Sequence, residues 1–133
     1  MLIVEDDERI RDILYDLFAD WQVCHVASTA EQALAYLADE TYDVVLSDIS
    51  MPGLSGLELL GHIRQRYPEI VVIIVSGIDD QEHAQGLLKM GAYEYIVKPF
   101  RLEDVEASVG RALEYRRRWS PERRGKDSDQ TED

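Results

Sequence analysis

Residues 70–76 read IVVIIVS, and residues 43–47 read DVVLS. Neither stretch alternates apolar and polar side chains, as a strand with one face in solvent would. Continuous runs of aliphatic residues are typical of parallel strands that are covered on both faces. The two runs therefore predict the centre of a parallel β-sheet with helices packed on both sides.

Three further short, mainly apolar runs are predicted to be strands: MLIV at 1–4, QVCHVA at 22–27 and YEYIV at 93–97. Between the five runs, apolar residues recur at the i, i+3, i+4, i+7 spacing of an amphipathic helix, as from Ile10 to Leu17. Five strands that alternate with five helices predict an α/β fold, a (βα)5 three-layer sandwich with right-handed crossovers.

Helix boundaries are marked by residues that cap helices. Asp7 is predicted to cap the first helix. Ser55 followed by Glu58 has the spacing of a capping box at the start of the third helix. Gly91 stands where a helix C-terminus favours a left-handed residue, and the fifth helix is expected to run through Arg118.

The composition excludes several classes of protein. With 45% apolar and 31% charged residues, the chain is neither disordered throughout nor membrane-spanning. The single cysteine, Cys24, excludes a disulfide framework, and it is predicted to be buried and inert in the second strand. The N-terminal apolar run is too short and too acidic for a signal peptide, so a cytoplasmic location and no membrane contact are expected.

The charge distribution bears on partners and on the end of the chain. A net charge of −13 argues against direct nucleic-acid binding by the folded domain. The basic stretch RRRWSPERRGK at 116–126 is interpreted as a solvated helix end that runs into a linker. We expect residues 1–118 to form one domain and residues 119–133 to be a polar, disordered tail or the start of a linker.

Chemically useful side chains follow four of the predicted strands. Strand 1 is followed by Glu5-Asp6-Asp7, strand 3 by Asp48, strand 4 ends in Ser76-Gly77, and strand 5 is followed by Lys98-Pro99. Each alone has a plain explanation as a helix cap, a turn or a solvated lysine. In an open parallel sheet, however, ligands bind outside the carboxyl ends of the strands, and here these residues coincide at that edge.

This set of residues suits phosphoryl transfer. Clustered carboxylates repel each other unless a cation or a proton intervenes. Hard oxygen ligands without a neighbouring His or Cys suit Mg²⁺. One carboxylate could then attack phosphorus and form an aspartyl phosphate, while the lysine, a hydroxyl and the metal stabilise the phosphoryl oxygens.

Four stretches, in this order at the strand ends, resemble the receiver domain of two-component response regulators, including chemotaxis receivers. They are LIVEDDERIR (2–11), VVLSDISMPGLSGLELL (44–60), VIIVSG (72–77) and GAYEYIVKPF (91–100). The resemblance covers residues 1 to about 118. It implies a flavodoxin-like fold with a parallel sheet of strand order 2-1-3-4-5.

The resemblance also implies ligands for a phosphoryl group and a metal. Asp48 matches the phosphoacceptor, and Glu5 and Asp6 match the acidic pair that holds Mg²⁺, Asp6 directly and Glu5 through water. Asp48 itself and the backbone carbonyl of Ser50 match further metal ligands. Lys98 matches the lysine that pairs with the phosphate.

Other matched positions imply a switch. Ser76 matches the hydroxyl that is recruited to the phosphate, and Tyr95 matches the aromatic residue whose ring then moves inward. Lys98-Pro99 resembles the family's cis peptide. Ser50 and Ile78 stand at the two variable positions that border the approach of the hydrolytic water. Neither is suited to orient that water, which predicts slow loss of the phosphate.

The function implied by the resemblance is a signalling switch. A sensor histidine kinase or a phosphotransfer protein would phosphorylate Asp48 with Mg²⁺, and helix 4, strand 5 and helix 5 would shift to control an effector. The domain would assist its own phosphorylation and dephosphorylation without being an independent enzyme. The same face is a candidate homodimer interface. An effector domain after residue 133 and a stand-alone receiver both stay open.

Two other functions compete with the switch. A phosphatase-type enzyme that forms an aspartyl phosphate usually needs a second acid two residues after the nucleophile, where this chain has Ser50. A stand-alone binding module of the same fold, such as a flavodoxin, cradles a cofactor phosphate in the loop after strand 1. Here the acidic loop Glu5–Glu8 would repel a phosphate.

Overall fold

The computed structural model of the protein describes residues 1–51, 53–77 and 81–119, without the side chains of residues 81–83. In this part of the chain, five strands and five helices alternate. The strands are β1 Leu2–Val4, β2 His25–Ala27, β3 Val44–Asp48, β4 Val71–Ser76 and β5 Glu94–Val97. The helices are α1 Glu8–Phe18, α2 Ala30–Asp39, α3 Gly56–Arg66, α4 Gln81–Lys89 and α5 Leu102–Arg118.

All neighbouring strands pair in parallel, in the order β2-β1-β3-β4-β5. Every residue of β3 and β4 is buried, as the two apolar runs predicted for strands covered on both faces. The predicted (βα)5 sandwich and its flavodoxin-like strand order are confirmed.

The sheet separates two apolar clusters because successive strand residues point to opposite faces. Leu2 and Val4 pack with buried residues of α2, α3 and α4, whereas Ile3 between them packs with buried residues of α1 and α5. The three layers are therefore α2, α3 and α4 on one face, the sheet, and α1 and α5 on the other. Among the described residues, no helix combines the length and the apolar character that a membrane span needs.

Strand β2 is shorter than the apolar run at 22–27, which had predicted its extent. The reason is that β1 offers it pairing partners only from Leu2 onward. The ladder begins where Leu2 pairs with His25. Val23, which precedes it at the sheet edge, is 79% exposed. The prediction that Cys24 is buried within the strand is wrong: Cys24 precedes β2 and is half-buried.

The predicted helix boundaries are confirmed where the structure describes them. The carboxylate of Asp7 accepts hydrogen bonds from the backbone N–H groups of Arg9 and Ile10. Ser55 and Glu58 form the reciprocal capping box. Gly91 has a φ of 108°, and α5 extends to Arg118. The prediction of a disordered tail or linker concerns residues 119–133, of which 120–133 lie outside the described residues.

A polar contact ties α5 to the edge strand β5. Ser108 is buried, and its hydroxyl donates a hydrogen bond of 2.6 Å to the Glu94 carboxylate. The Arg111 guanidinium donates two more, of 2.7 and 2.9 Å, to the two oxygens of the same carboxylate. Arg111 and Ser108 hold the pKa of Glu94 below its usual value, although partial burial acts in the opposite direction.

Replacing Glu94 with glutamine should lower the free energy of unfolding by about 1–2 kcal/mol at neutral pH, since a charged acceptor of hydrogen bonds is lost. A carboxylate whose folded-state pKa is depressed contributes stability above its unfolded-state pKa, and this is lost as the pH falls through the folded-state value. The difference between Glu94→Gln and the parent should therefore shrink below about pH 4. Urea unfolding from pH 3 to pH 7 measures it.

The matched control is Glu106→Gln, which removes the same charge from an exposed position on α5. Surface substitutions of this kind usually change stability by less than about 0.5 kcal/mol. Equal losses in both variants, or a Glu94→Gln difference independent of pH, would contradict the role given to the Glu94 contact.

Candidate functional site

The parallel register brings the carboxyl ends of four strands to one edge of the sheet. β3 pairs with β1 on one side and with β4 on the other, and β4 pairs in turn with β5. Because the ladders end at nearly the same level, the residues at the ends of these strands become neighbours. This edge carries Glu5, Asp48, Ser76 and Lys98.

Lys98 connects two buried carboxylates at this edge. Its Nζ lies 3.0 Å from Glu5 Oε1 and 3.1 Å from Asp48 Oδ2. The two acidic side chains are only 2% and 6% exposed, and the lysine side chain is 22% exposed. One ammonium group thus offsets the repulsion between two carboxylates that have lost most of their contact with water.

The electrostatics of the edge favour binding of a further cation. Burial raises the pKa of Glu5 to about 7; the hydrogen bond from Lys98 opposes this rise, and the charge of Asp48 adds to it. For Lys98, burial lowers the pKa, but the contacts with Glu5 and Asp48 outweigh it and leave the value raised. Lys98 therefore stays charged at neutral pH, whereas Glu5 stands close to taking up a proton.

Three carboxylates converge closely enough to share one metal ion. Oxygens of Glu5, Asp6 and Asp48 all lie within 4.8 Å of one another, with Asp6 exposed and the other two buried. The backbone N–H of Asp7 donates to Glu5 Oε2 at 3.2 Å, which orients that carboxylate. An all-oxygen donor set with one exposed member fits Mg²⁺, which binds through one or two carboxylates and keeps several waters.

The Asp48 carboxylate is held from its own loop as well as by Lys98. The backbone N–H of Ser50 donates to Asp48 Oδ1 at 3.2 Å. Ser50 itself is exposed, and the role of its carbonyl as a metal ligand stays a prediction.

Ser76 is fully buried at the end of β4, and its carbonyl accepts a hydrogen bond of 2.7 Å from the backbone N–H of Lys98. The Lys98-Pro99 peptide is cis, as the resemblance predicted.

Of the remaining residues assigned to the switch and to water access, Tyr95 lies in the described part of the chain and Ile78 does not. Tyr95 is half-buried in β5 and packs against the apolar cluster on the face of α2, α3 and α4. Its movement therefore stays a prediction. Ile78, assigned to the border of the water approach, lies outside the described residues.

Two residues of the site were not found from the sequence. Arg11 reaches back from α1, and its Nη1 donates to the carbonyl of Glu5 at 3.1 Å. A Cβ added to Gly56, the first residue of α3, would lie 2.2 Å from the carbonyl oxygen of Asp48. The signal for Gly56 was its place directly after the capping Ser55, but the close approach to Asp48 depends on tertiary packing.

A family model described as the response regulator receiver domain matches residues 1–110. Among curated proteins, the DNA-binding transcriptional regulator NtrC of Salmonella typhimurium is 40% identical over 114 residues, which are 85% of this chain and 24% of that protein. The response regulator protein FleR of Pseudomonas aeruginosa is 40% identical over 112 residues, 84% of this chain and 24% of that protein. The chain thus spans about a quarter of the length of these relatives.

Two solved receiver-domain structures match over more than nine-tenths of their chains. The receiver domain of NtrX from Brucella abortus has a TM-score of 0.80 and 35% identity, with 85% of this chain and 97% of that chain covered. A receiver domain protein described as CheY-like, from Methanospirillum hungatei, has a TM-score of 0.82 and 30% identity, with 88% and 94% covered.

Proposed function

Because the chain belongs to the response regulator receiver domain family, we propose that Asp48 accepts a phosphoryl group from a sensor histidine kinase or a phosphotransfer protein. The observation that carries this proposal is the contact of one lysine with two buried carboxylates, Lys98 with Glu5 and Asp48. Membership of the family supports phosphorylation-dependent signalling in general, and this geometry supports Asp48 as the acceptor.

In the proposed transfer, an oxygen of the Asp48 carboxylate attacks phosphorus. The new P–O bond forms as the P–N bond to the donor's histidine breaks, and the bonding electron pair returns to the imidazole nitrogen. The Lys98 ammonium, now paired with Asp48, is placed to pair with a phosphoryl oxygen instead. Ser76, buried at the end of β4, is the proposed hydroxyl donor to another phosphoryl oxygen.

Glu5, Asp6 and Asp48 are the proposed side-chain ligands of Mg²⁺, with the Ser50 carbonyl as a backbone ligand. When bound, the ion would neutralise charge on the carboxylates and on the phosphoryl oxygens. The raised pKa of Glu5 supports this proposal, because burial and the neighbouring Asp48 charge disfavour the ionised carboxylate, which a bound cation would stabilise.

The proposed output is a change in the face formed by α4, β5 and α5. Recruitment of Ser76 to the phosphate would leave room for Tyr95 to move inward from its half-buried position in β5. That face could then pair with a second copy or contact an effector. The relatives extend well beyond a region of this length, so we propose an effector domain C-terminal to the receiver. We also propose that the protein acts in the cytoplasm and that the receiver itself does not bind nucleic acid directly.

The test of the proposal is incubation with a small acyl-phosphate donor, with and without Mg²⁺. We expect one phosphoryl group per chain, bound to Asp48, dependent on Mg²⁺ and lost slowly. Intact-mass spectrometry followed by peptide mapping measures both stoichiometry and position. Rapid release of inorganic phosphate from many donors, with no accumulation of the phosphoprotein, would instead support the phosphatase-type enzyme.

Replacing Asp6 with asparagine should weaken Mg²⁺ binding at least about tenfold, because one charged ligand of a metal site is lost. Phosphorylation at limiting Mg²⁺ should fall in parallel. Calorimetric titration of the protein with Mg²⁺ measures the first effect, and initial labelling rates measure the second.

The neighbouring residue provides a matched control. Asp7→Asn removes the same charge one position away, and asparagine caps a helix as well as aspartate does. We expect Asp7→Asn to keep nearly full Mg²⁺ affinity. Equal weakening in the two variants would mean that general charge at this edge, and not ligation by Asp6, governs metal binding.

A further inference from the structure

At the end of the sheet opposite to Asp48, an acidic groove of about 560 Å³ lies between the end of α2 and the loop before β4. Leu37, Tyr42 and Ile70 are buried and form its apolar floor. At its rim, Asp39 and Glu40 are exposed and Glu69 is half-buried. The groove therefore combines apolar surface with three carboxylates, a combination that suits long basic side chains, whose methylene stems pack while their charged ends stay in water.

Only one of the three carboxylates has a Lys, Arg or His side chain at ion-pair distance among the described residues. Glu40 Oε2 lies 3.4 Å from His25 Nδ1. Within the described ranges, no Lys, Arg or His nitrogen lies at ion-pair distance from Asp39 or Glu69. The nearby Arg64 has a different acceptor, since its Nη1 donates to the carbonyl of Ile70 at 3.0 Å. Two carboxylates of the acidic groove are thus available to a basic ligand.

The end of α5 lies close to this groove. Arg116 Nε is 3.6 Å from Asp43 Oδ1, and Asp43 follows Tyr42 of the groove floor. Tyr115 lines a second cavity, of about 260 Å³, together with Glu69 and Ile70. Because Glu69 and Ile70 line both cavities, a continuous surface leads from the last turn of α5 to the acidic groove.

We propose that the acidic groove binds the basic segment 123–126 of the same chain, Arg-Arg-Gly-Lys, which follows α5 in the sequence. Its three positive charges would complement the acidic rim, where the carboxylates of Asp39 and Glu69 are available. An extended chain spans about 3.3–3.6 Å per residue, so four residues after Trp119 reach roughly 13 Å from the helix end. The covalent connection favours this occupant over a segment of another chain, because a short tether gives an effective concentration on the order of millimolar.

Paramagnetic relaxation enhancement in the full 133-residue chain tests the proposal. A nitroxide is attached to Ser128→Cys in a Cys24→Ser background, and amide signals are compared before and after its reduction. We expect the amides of Asp39, Thr41 and Glu69 to lose about half or more of their intensity, with little loss at Gly53 on the opposite edge. Raising the salt concentration to about 0.5 M should restore the signals, because salt screens exposed charges.

Charge reversal identifies the contacts. In the spin-labelled chain, Asp39→Lys with Glu69→Lys should abolish the broadening, and combining them with Arg123→Glu and Arg124→Glu should restore it. Asp16→Lys with Glu106→Lys changes the net charge equally at two exposed helix positions and should leave the broadening unchanged. No selective broadening at the groove, or broadening that survives Asp39→Lys with Glu69→Lys, overturns the proposal.

A mixing experiment separates the two sources of a basic segment. Isotope-labelled protein without nitroxide is mixed with unlabelled protein that carries it. Broadening of the groove amides in the mixture equal to that within one chain would assign the segment to a second copy and overturn binding within the chain.

Discussion

Asp48→Asn is expected to abolish acyl-phosphate formation while leaving the fold intact. An amide oxygen is not a nucleophile of carboxylate strength, and no other carboxylate shares the position of Asp48 between Lys98 and the N–H of Ser50 in the described part of the chain. The asparagine side chain keeps the size of aspartate and can still accept the hydrogen bond from Ser50. Labelling with a small acyl-phosphate donor and Mg²⁺, read by intact-mass spectrometry, measures the loss.

The stability of Asp48→Asn should stay within about 1 kcal/mol of the parent, because two changes oppose each other. Lys98 loses one of its two carboxylate partners but keeps Glu5 at 3.0 Å. Glu5 loses the neighbouring negative charge that helps to raise its pKa. Circular dichroism and urea unfolding therefore distinguish a missing nucleophile from a misfolded protein.

The control for Asp48→Asn is Asp43→Asn, just before the opposite end of β3. It removes an equal charge from an exposed residue whose ion-pair partner is Arg116, and it should be labelled fully. Stoichiometric phosphate on Asp48→Asn would assign the acceptor to another residue and remove the basis of the proposed function.

The sequence predicted the central strands better than the edge strand β2, for a physical reason. β3 and β4 are buried on both faces, and their bounds differ from the predicted runs by at most one residue at either end. Burial on both faces demands continuous apolar side chains, which are visible in the sequence. β2 has a single neighbour, so its length depends on where β1 begins, and the apolar run at 22–27 does not record that.

The candidate site was predictable to the extent that topology alone places residues. Parallel strands share a carboxyl edge, so the meeting of Glu5, Asp48, Ser76 and Lys98 followed from their positions after strands. The register of the ladders, the burial of Glu5 and the contact of Arg11 with its carbonyl depend on tertiary packing. Gly56 shows the same limit, since its role is to leave room for the backbone of Asp48.

Lys98→Met should weaken both phosphorylation and the fold. Removing one charged group placed at developing negative charge typically costs about 10²–10³-fold in rate, and we expect a loss of about 10²-fold in labelling by the acyl-phosphate donor. Breaking a buried ion pair by removing one partner costs roughly 3–5 kcal/mol. Protonation of Glu5, whose pKa already lies near 7, should limit the cost at neutral pH to about 2–3 kcal/mol.

The loss of stability in Lys98→Met should depend on pH with a definite sign. A carboxyl group whose folded-state pKa lies above its unfolded-state value destabilises the fold increasingly as the pH rises through that interval. Without Lys98 the pKa of Glu5 should rise further, so the destabilisation of Lys98→Met should be largest above pH 7 and should shrink toward pH 5. Mg²⁺ should also reduce it, because the acidic cluster regains a cation.

Urea unfolding of Lys98→Met at pH 5 and pH 8, each with and without Mg²⁺, measures these effects together. Lys89→Met is the matched control, since it removes an exposed lysine from the last turn of α4. That control should keep the parent stability and the parent labelling rate at both pH values. If Lys98→Met unfolded at the parent urea concentration at pH 8, Lys98 would not be neutralising the buried carboxylates, and its proposed pairing with the phosphoryl group would lose its structural support.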